Sequence, residues 1–145
     1  MLRLGGEFAD VVELGGTGRT LADGRYHEAR WSEAHVSRDV EIVKEAAARV
    51  GRLPRLGALV QFVELTEDPE LALATRFEQA AAFIPPEGLP SIHEALTSPY
   101  TLMGTVKDIV AKLIGLRERW GFTRFTVRSP RLLAEVIAGL GNGGC

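Results

Sequence analysis

The chain contains a single cysteine, Cys145, which is also its last residue. One cysteine excludes a disulfide framework within the chain and a cysteine-based metal site, and it favours a reducing, cytoplasmic location. No stretch reaches the roughly 20 apolar residues that a bilayer-spanning helix needs, and the N-terminus lacks the layout of a signal peptide. The net charge of −2 gives no electrostatic reason to expect nucleic acid or an anionic membrane as a partner.

The motifs of several common chemistries are also missing. The histidines, His27, His35 and His93, are far apart and have no metal-ligand spacing, so we expect no metal site. Neither a P-loop nor a dinucleotide-binding glycine motif is present, and no arrangement of serine, histidine and aspartate predicts a nucleophilic triad. The sequence therefore identifies no catalytic residue.

The overall amino-acid composition is that of an ordinary globular domain. The 145 residues are 46% hydrophobic and 25% charged, and a chain of this length buries about 70% of its unfolded surface. We therefore expect residues 1–145 to form a single domain.

Short apolar segments predict three buried strands, at residues 8–14, 56–65 and 122–127. Helices are predicted between them, and a last one at residues 130–140. The signals for helix starts are Ser32, Pro69, Ser91 and Thr105. This alternation predicts an α/β fold with parallel strands joined by helices.

Three strand–helix units do not close a (β/α)8 barrel, which takes roughly 250 residues. The outer strands of an open sheet keep unpaired backbone groups, and these invite association. We therefore expect homo-oligomerisation through the strand edges. Closure of the sheet in some other way, or a marginally stable fragment, are the alternatives.

A glycine-rich segment follows the first predicted strand and is the main candidate site. Glycines let backbone N–H groups approach an anion closely, while a threonine adds a hydroxyl and an arginine a charge. Ligands bind at the carboxyl ends of parallel strands. The candidate residues are Gly15, Gly16, Thr17, Gly18 and Arg19. A flexible turn is the alternative reading.

Other polar residues lie at or near strand ends. Arg128, just after the third strand and near Thr126, faces either a ligand phosphate or carboxylate or a surface acid. Gln61 and Glu64 are three positions apart, so along one strand their side chains point to opposite sides of the sheet. Gln61 either contacts a ligand or is structural. His27 either contacts a substrate or acts as a general acid, or it is a surface residue.

Four segments together resemble one family. They are Phe-Ala-Asp-Val-Val (8–12), Ala-Leu-Val-Gln-Phe-Val-Glu-Leu-Thr-Glu-Asp (58–68), Leu-Met-Gly-Thr-Val-Lys-Asp-Ile (102–109) and Glu-Arg-Trp-Gly-Phe-Thr-Arg-Phe-Thr-Val (118–127). The chain is similar through them to the C-terminal part of the luciferase-like monooxygenases, whose actinobacterial members usually bind the deazaflavin F420.

The resemblance implies a partial TIM barrel that holds strands six to eight, and an oxidoreductase that uses F420, or alternatively FMN, for hydride or oxygen chemistry. It implies a phosphate-side role for the loop from Gly15 to Gly18. Met1 matches a position inside a helix of the family, so strands one to five would come from a partner chain or from a missing N-terminal part. The alternative is a non-catalytic barrel fragment that binds no cofactor and acts as a structural or interaction domain.

Overall fold

The structure, a computed structural model, describes residues 1–128 and 133–142. It is an α/β fold in which helices alternate with mostly parallel strands. The elements are α1 (Leu2–Phe8), β1 (Val11–Leu14), β2 (Thr17–Thr20), β3 (His27–Ala29), α2 (Glu33–Arg49), β4 (Arg55–Val60), β5 (Phe62–Leu65), α3 (Pro69–Ala80), a 3₁₀ turn (Pro86–Gly88), α4 (Ile92–Thr97), β6 (Thr101–Gly104), α5 (Val106–Trp120), β7 (Phe122–Val127) and α6 (Leu133–Asn142).

The three predicted strands form one parallel sheet in the order β1-β4-β7. Alternate residues of each strand point to the same face. On one face Val12, Leu56 and Phe122 are aligned and buried. They form the main core with apolar residues of α2 and α5, which are Val36, Val40, Val43, Leu116 and Trp120.

The opposite face of this sheet is polar. Glu13, Gly57 and Arg124 are aligned across the three strands, and Glu13 accepts a hydrogen bond from the Thr126 hydroxyl. Within residues 1–128 and 133–142, the outer edges of β1 and β7 have no neighbouring strand. The expectation of two open edges therefore holds for the described part of the chain.

Two strand predictions need correction. Phe8 ends α1 and is 74% exposed, so it does not open β1. The predicted strand 56–65 is two strands that separate at Gln61 and join different sheets, since β5 pairs with β6. The break occurs because the Tyr100 carbonyl accepts the backbone N–H of Gln61 at 2.7 Å and draws the chain out of the central sheet.

Helix starts and ends follow their local signals. The Ser32 hydroxyl accepts the N–H of the third residue of α2, and Pro69 occupies the first position of α3. Ser91 and Thr105 each close a complete capping box, and Gly121 ends α5 with φ +85°. The helix predicted at residues 130–140 is present over its described part, as α6 (Leu133–Asn142). Every helix in the described ranges is too short or too polar to span a lipid bilayer.

Candidate functional site

The glycine turn after β1 has a shape that only glycine accepts. Gly16 has φ +67°, a left-handed conformation that is strained for other residues. A Cβ atom at Gly16 would lie 2.5 Å from Cε2 of Tyr100 and 2.8 Å from the indole of Trp31. A Cβ atom at Gly15 would meet nothing within 4 Å. One glycine therefore packs against the core, while its neighbour faces open space.

A hairpin that the sequence analysis missed follows this turn. Strands β2 and β3 pair antiparallel, and the Asp23 carboxylate accepts the N–H groups of Arg25 and Tyr26 at the turn between them. Asp23-Gly24 is a turn signal in the sequence, and it lies in the connection between the two strands. The hairpin returns the chain to Gly16, whose carbonyl accepts the N–H of Arg30 at 2.9 Å.

A pocket of about 260 Å³ lies at the carboxyl ends of β1 and β4. Gly15 and Gly16 form part of its wall. Its apolar lining consists of Ala29, Trp31, Phe62, Phe77, Ile84, Gly88, Leu89 and Pro90, and its polar lining of Thr17, Arg25, Tyr26, His27, Glu28 and Gln61. A mainly apolar pocket with a few polar groups is typical of a small-molecule site.

Aromatic rings form one side of the pocket and the layer beneath it. Trp31 lies 6.2 Å from Phe62 and 5.4 Å from Tyr100 between ring centroids, in tilted arrangements. Phe62 makes an edge-on contact with Phe77 at 6.1 Å. These contacts fix the Trp31 indole in place, because offset and tilted aromatic pairs are the favoured ones.

Tyr100 lies under Gly16 and is fully buried. Its hydroxyl has no hydrogen-bond partner among the described residues, although the Gly16 backbone is close enough to favour the ionised form slightly. Burial, with the Asp39 carboxylate as a smaller cause, raises the pKa of Tyr100 well above its usual value. Tyr100 therefore stays neutral and acts as a core residue that shapes the pocket floor.

The predicted site residues divide into two groups. Gly15, Gly16 and Thr17 line the pocket, whereas Gly18 and Arg19 lie in β2 outside its lining. Arg19 is largely exposed and lies 3.7 Å from the Glu28 carboxylate. Arg128 follows β7, which β4 separates from β1, and it does not line the pocket either.

Gln61 and Glu64 lie apart, but alternation along one strand is not the reason, because Gln61 lies between β4 and β5 and Glu64 lies within β5. Gln61 lines the pocket, while Glu64 accepts hydrogen bonds from the Arg76 guanidinium at 2.6 and 2.9 Å. His27 is exposed at the pocket wall, where its Nδ1 lies 3.4 Å from the Thr20 hydroxyl. His35 and His93 are exposed on helices, away from the pocket lining.

Metal-binding groups are not clustered in the described ranges. No set of three histidine, cysteine, aspartate or glutamate side chains comes together there. Cys145 lies outside the described residues.

Outside the pocket, Lys112 of α5 carries a part-buried ammonium group. Its Nζ donates to the carbonyls of Leu96 and Thr101, both at 2.6 Å, and contacts the Thr101 hydroxyl at 3.2 Å. Burial lowers the pKa of Lys112 to about 7. The three oxygen atoms favour the ammonium form and tie α5 to the segment that leads into β6.

This pKa predicts a pH dependence of stability. Because the folded-state pKa of Lys112 lies below the ordinary lysine value of 10.5, the unfolded chain binds more protons than the folded chain between about pH 7 and pH 10. The free energy of unfolding is therefore expected to rise by about 2 kcal/mol from pH 7 to pH 9. Urea unfolding of the wild type and of Lys112→Met at both pH values measures this, and an equal rise in both proteins contradicts it.

The comparisons with known proteins rest on structure alone. No protein-family model and no curated protein matches the sequence at a significant level. The fold is similar to that of monooxygenase RslO1 from Streptomyces bottropensis, with a TM-score of 0.61 and 16% identity, over 95% of this chain and 44% of that one. It is also similar to an F420-dependent secondary alcohol dehydrogenase in complex with an F420–acetone adduct, with a TM-score of 0.58 and 12% identity, over 93% of this chain and 42% of that one. The chain therefore spans less than half the length of both proteins.

Proposed function

We propose that the chain is part of an oxidoreductase of the luciferase-like type and binds the deazaflavin F420, with FMN as the alternative, at the pocket beside Gly15. In this proposal its three central strands correspond to strands six to eight of a (β/α)8 barrel, and the strands that close the sheet come from another chain or from a preceding segment. The observation that carries the proposal is the position of the pocket at the carboxyl ends of two parallel strands, where such folds bind ligands. The similarity in fold to a monooxygenase and to an F420-dependent dehydrogenase supports it.

The pocket fits one part of such a cofactor. Trp31 and Phe62 provide flat apolar surface for a ring, and the Gln61 amide offers both a donor and an acceptor for the polar edge of the ring. The volume of about 260 Å³ is below the roughly 300–1,000 Å³ of sites that enclose a whole drug-sized ligand. The pocket would therefore hold the ring or the start of the side chain, and the rest would lie along the carboxyl edge of the sheet.

The residues of this chain would bind and orient the cofactor. When bound, a deazaflavin or flavin supplies the hydride or oxygen chemistry itself. Trp31 and Phe62 would exclude water from one side of the ring, and the open backbone at Gly15 would approach a phosphate or a ring oxygen. His27 stands at the pocket wall, where it can donate or accept a hydrogen bond.

A second function is supported by a different observation. The cations that were expected to neutralise a phosphate, Arg19 and Arg128, do not line the pocket. Among the residues that the structure describes, its basic lining consists of Arg25 and His27. A chain that kept the packing of the fold but not its cofactor site would act as a structural or interaction domain. Absence of cofactor binding by the folded protein would favour this function.

The two tryptophans of the chain allow a test that locates the ligand. Trp31 lines the pocket, whereas Trp120 lies on α5 and donates from its indole nitrogen to the Ser37 hydroxyl at 2.9 Å. In Trp120→Phe, where Trp31 is the only indole, F420 is expected to quench the fluorescence saturably. In Trp31→Phe, where Trp120 remains, the quenching should be weak.

Circular dichroism of both variants checks that they fold. FMN is titrated in the same way, and riboflavin, which has the same ring without a phosphate, serves as a control for ring binding. Saturable quenching of Trp120 but not of Trp31 would place the ligand elsewhere and contradict the proposed site. No quenching of either, from a folded protein, would contradict cofactor binding by this chain.

A further inference from the structure

The two open edges of the central sheet are complementary in direction. β1 and β7 are parallel and occupy opposite ends of the order β1-β4-β7. A second copy can be generated by a two-fold rotation about an axis that runs roughly along the strands, and all strands of both copies then remain parallel. This rotation places β7 of each copy beside β1 of the other, so the dimer contains two identical β7–β1 contacts, as cyclic symmetry requires. Two copies would then form a ring of six parallel strands without a free edge.

The charges on these two edge strands are also complementary. On the polar face of the sheet, β1 carries Glu13 and β7 carries Arg124, and both side chains are exposed. In one chain they lie on either side of Gly57 in the same aligned row. Pairing of β7 with β1 of a second copy brings an arginine next to a glutamate at each of the two new junctions, which favours this arrangement over β1–β1 or β7–β7 pairing.

The helical layer offers apolar surface at the same junction. α1 precedes β1 and packs against α2, with Gly6 so close that a Cβ atom would lie 2.4 Å from the Val43 carbonyl. Its Leu4 and Phe8 are 61% and 74% exposed. A groove of about 340 Å³ beside β7 is lined by Leu113, Ile114, Arg117, Phe122, Thr123 and Phe125. Because a helix covers the junction between its own strand and the neighbouring strand, α1 of the second copy would approach this groove.

We propose that two copies of this chain associate by pairing β7 of each with β1 of the other, and that each pocket is completed by Arg128 of the second copy. The second half rests on the proposed function. In one chain, Gly15 and Arg128 follow strands that are two strand spacings apart, about 9.6 Å, whereas at the new junction they are one spacing apart, about 4.8 Å. The second copy would thus add a second arginine to the pocket, beside the Arg25 that already lines it.

Light scattering at micromolar concentration tests the dimer without any ligand. The expected mass is that of two chains. Glu13→Arg and Arg124→Glu are each expected to shift the mass to one chain, and the double variant, which exchanges the two charges, to restore two. Glu41→Arg on the exposed side of α2 is the matched control and should remain a dimer. A wild-type monomer, a larger open assembly, or a dimer indifferent to the single changes would overturn the proposed pairing.

A complementation experiment tests the shared site. Arg128→Gln is expected to weaken F420 binding about tenfold, as loss of one charge-assisted hydrogen bond does, and Gly15→Leu to block the pocket. When the two variants are co-expressed, each mixed dimer has one site with both changes and one with neither. Wild-type affinity should therefore return at one site per mixed dimer. If the wild type binds F420 but the mixed dimer shows no such recovery, the shared site is overturned and the proposed function is not. If the wild type does not bind F420, the proposed function is refuted, and the dimer is then tested by the mass measurement alone.

Discussion

Replacement of Gly16 by alanine is expected to lower the free energy of unfolding by about 3 kcal/mol. Two causes add up. The left-handed backbone at φ +67° costs a residue with a Cβ atom about 1–2 kcal/mol. The added methyl group would also lie 2.5 Å from Tyr100 and 2.8 Å from Trp31, and overpacking of this kind costs about 1–3 kcal/mol. Both rings are buried and held by neighbouring rings, so neither can move away freely.

Gly51 provides the matched control for this measurement. It has nearly the same backbone conformation, φ +69°, but a Cβ atom there would meet nothing within 4 Å. Gly51→Ala therefore reports the backbone strain alone, about 1–2 kcal/mol. Urea unfolding of both variants gives the steric part as the difference between them. Equal losses would show that Tyr100 and Trp31 do not press against the glycine turn.

The second large effect is on binding. Gly15→Leu is expected to reduce the affinity for F420 by about 100-fold or more, because its side chain would extend from the pocket wall into the space that the ligand needs. The fold should be retained, since a Cβ atom at Gly15 meets no other atom within 4 Å and the backbone of Gly15 is not left-handed. Isothermal titration calorimetry measures the affinity, and thermal unfolding checks the fold.

Gly115→Leu is the control for the size of the new side chain. Gly115 lies on the exposed side of α5, outside the pocket lining, and is likewise free of neighbours at its Cβ position. It should bind F420 as the wild type does. If Gly15→Leu and Gly115→Leu bind equally well, the pocket beside Gly15 is not the cofactor site.

Local signals made the helices and one strand predictable from the sequence. The capping boxes at Ser91 and Thr105 and the left-handed Gly121 depend on residues within a few positions of each other, so the chain itself shows them. β7 begins at Phe122 directly after Gly121, and its bounds agree with the predicted segment.

Distant contacts explain what could not be predicted. The break at Gln61 depends on the carbonyl of Tyr100, which is remote in sequence, and a continuous apolar run does not reveal it. β6 has four residues, all buried, which is too short for a strand pattern to stand out. Trp31 reaches the pocket only because the hairpin folds back on Gly16, so its place beside Gln61 required the three-dimensional structure.

The glycine segment was also only partly predictable from the sequence. The place of Gly15 and Gly16 after a buried strand indicated the edge of the sheet where the pocket lies. The charge near them in sequence was less informative, because Arg19 is largely exposed in β2, beside the Glu28 carboxylate, and does not line the pocket. Whether these glycines hold a cofactor stays a prediction.

The most direct test of cofactor binding is an equilibrium titration of the purified chain with F420 and with FMN, with particle mass read in the same sample. We expect saturable binding of F420 or FMN at one site per chain, in particles of two chains. A folded protein that binds neither compound would contradict it, and would leave a domain that shares the fold of these oxidoreductases without their cofactor site.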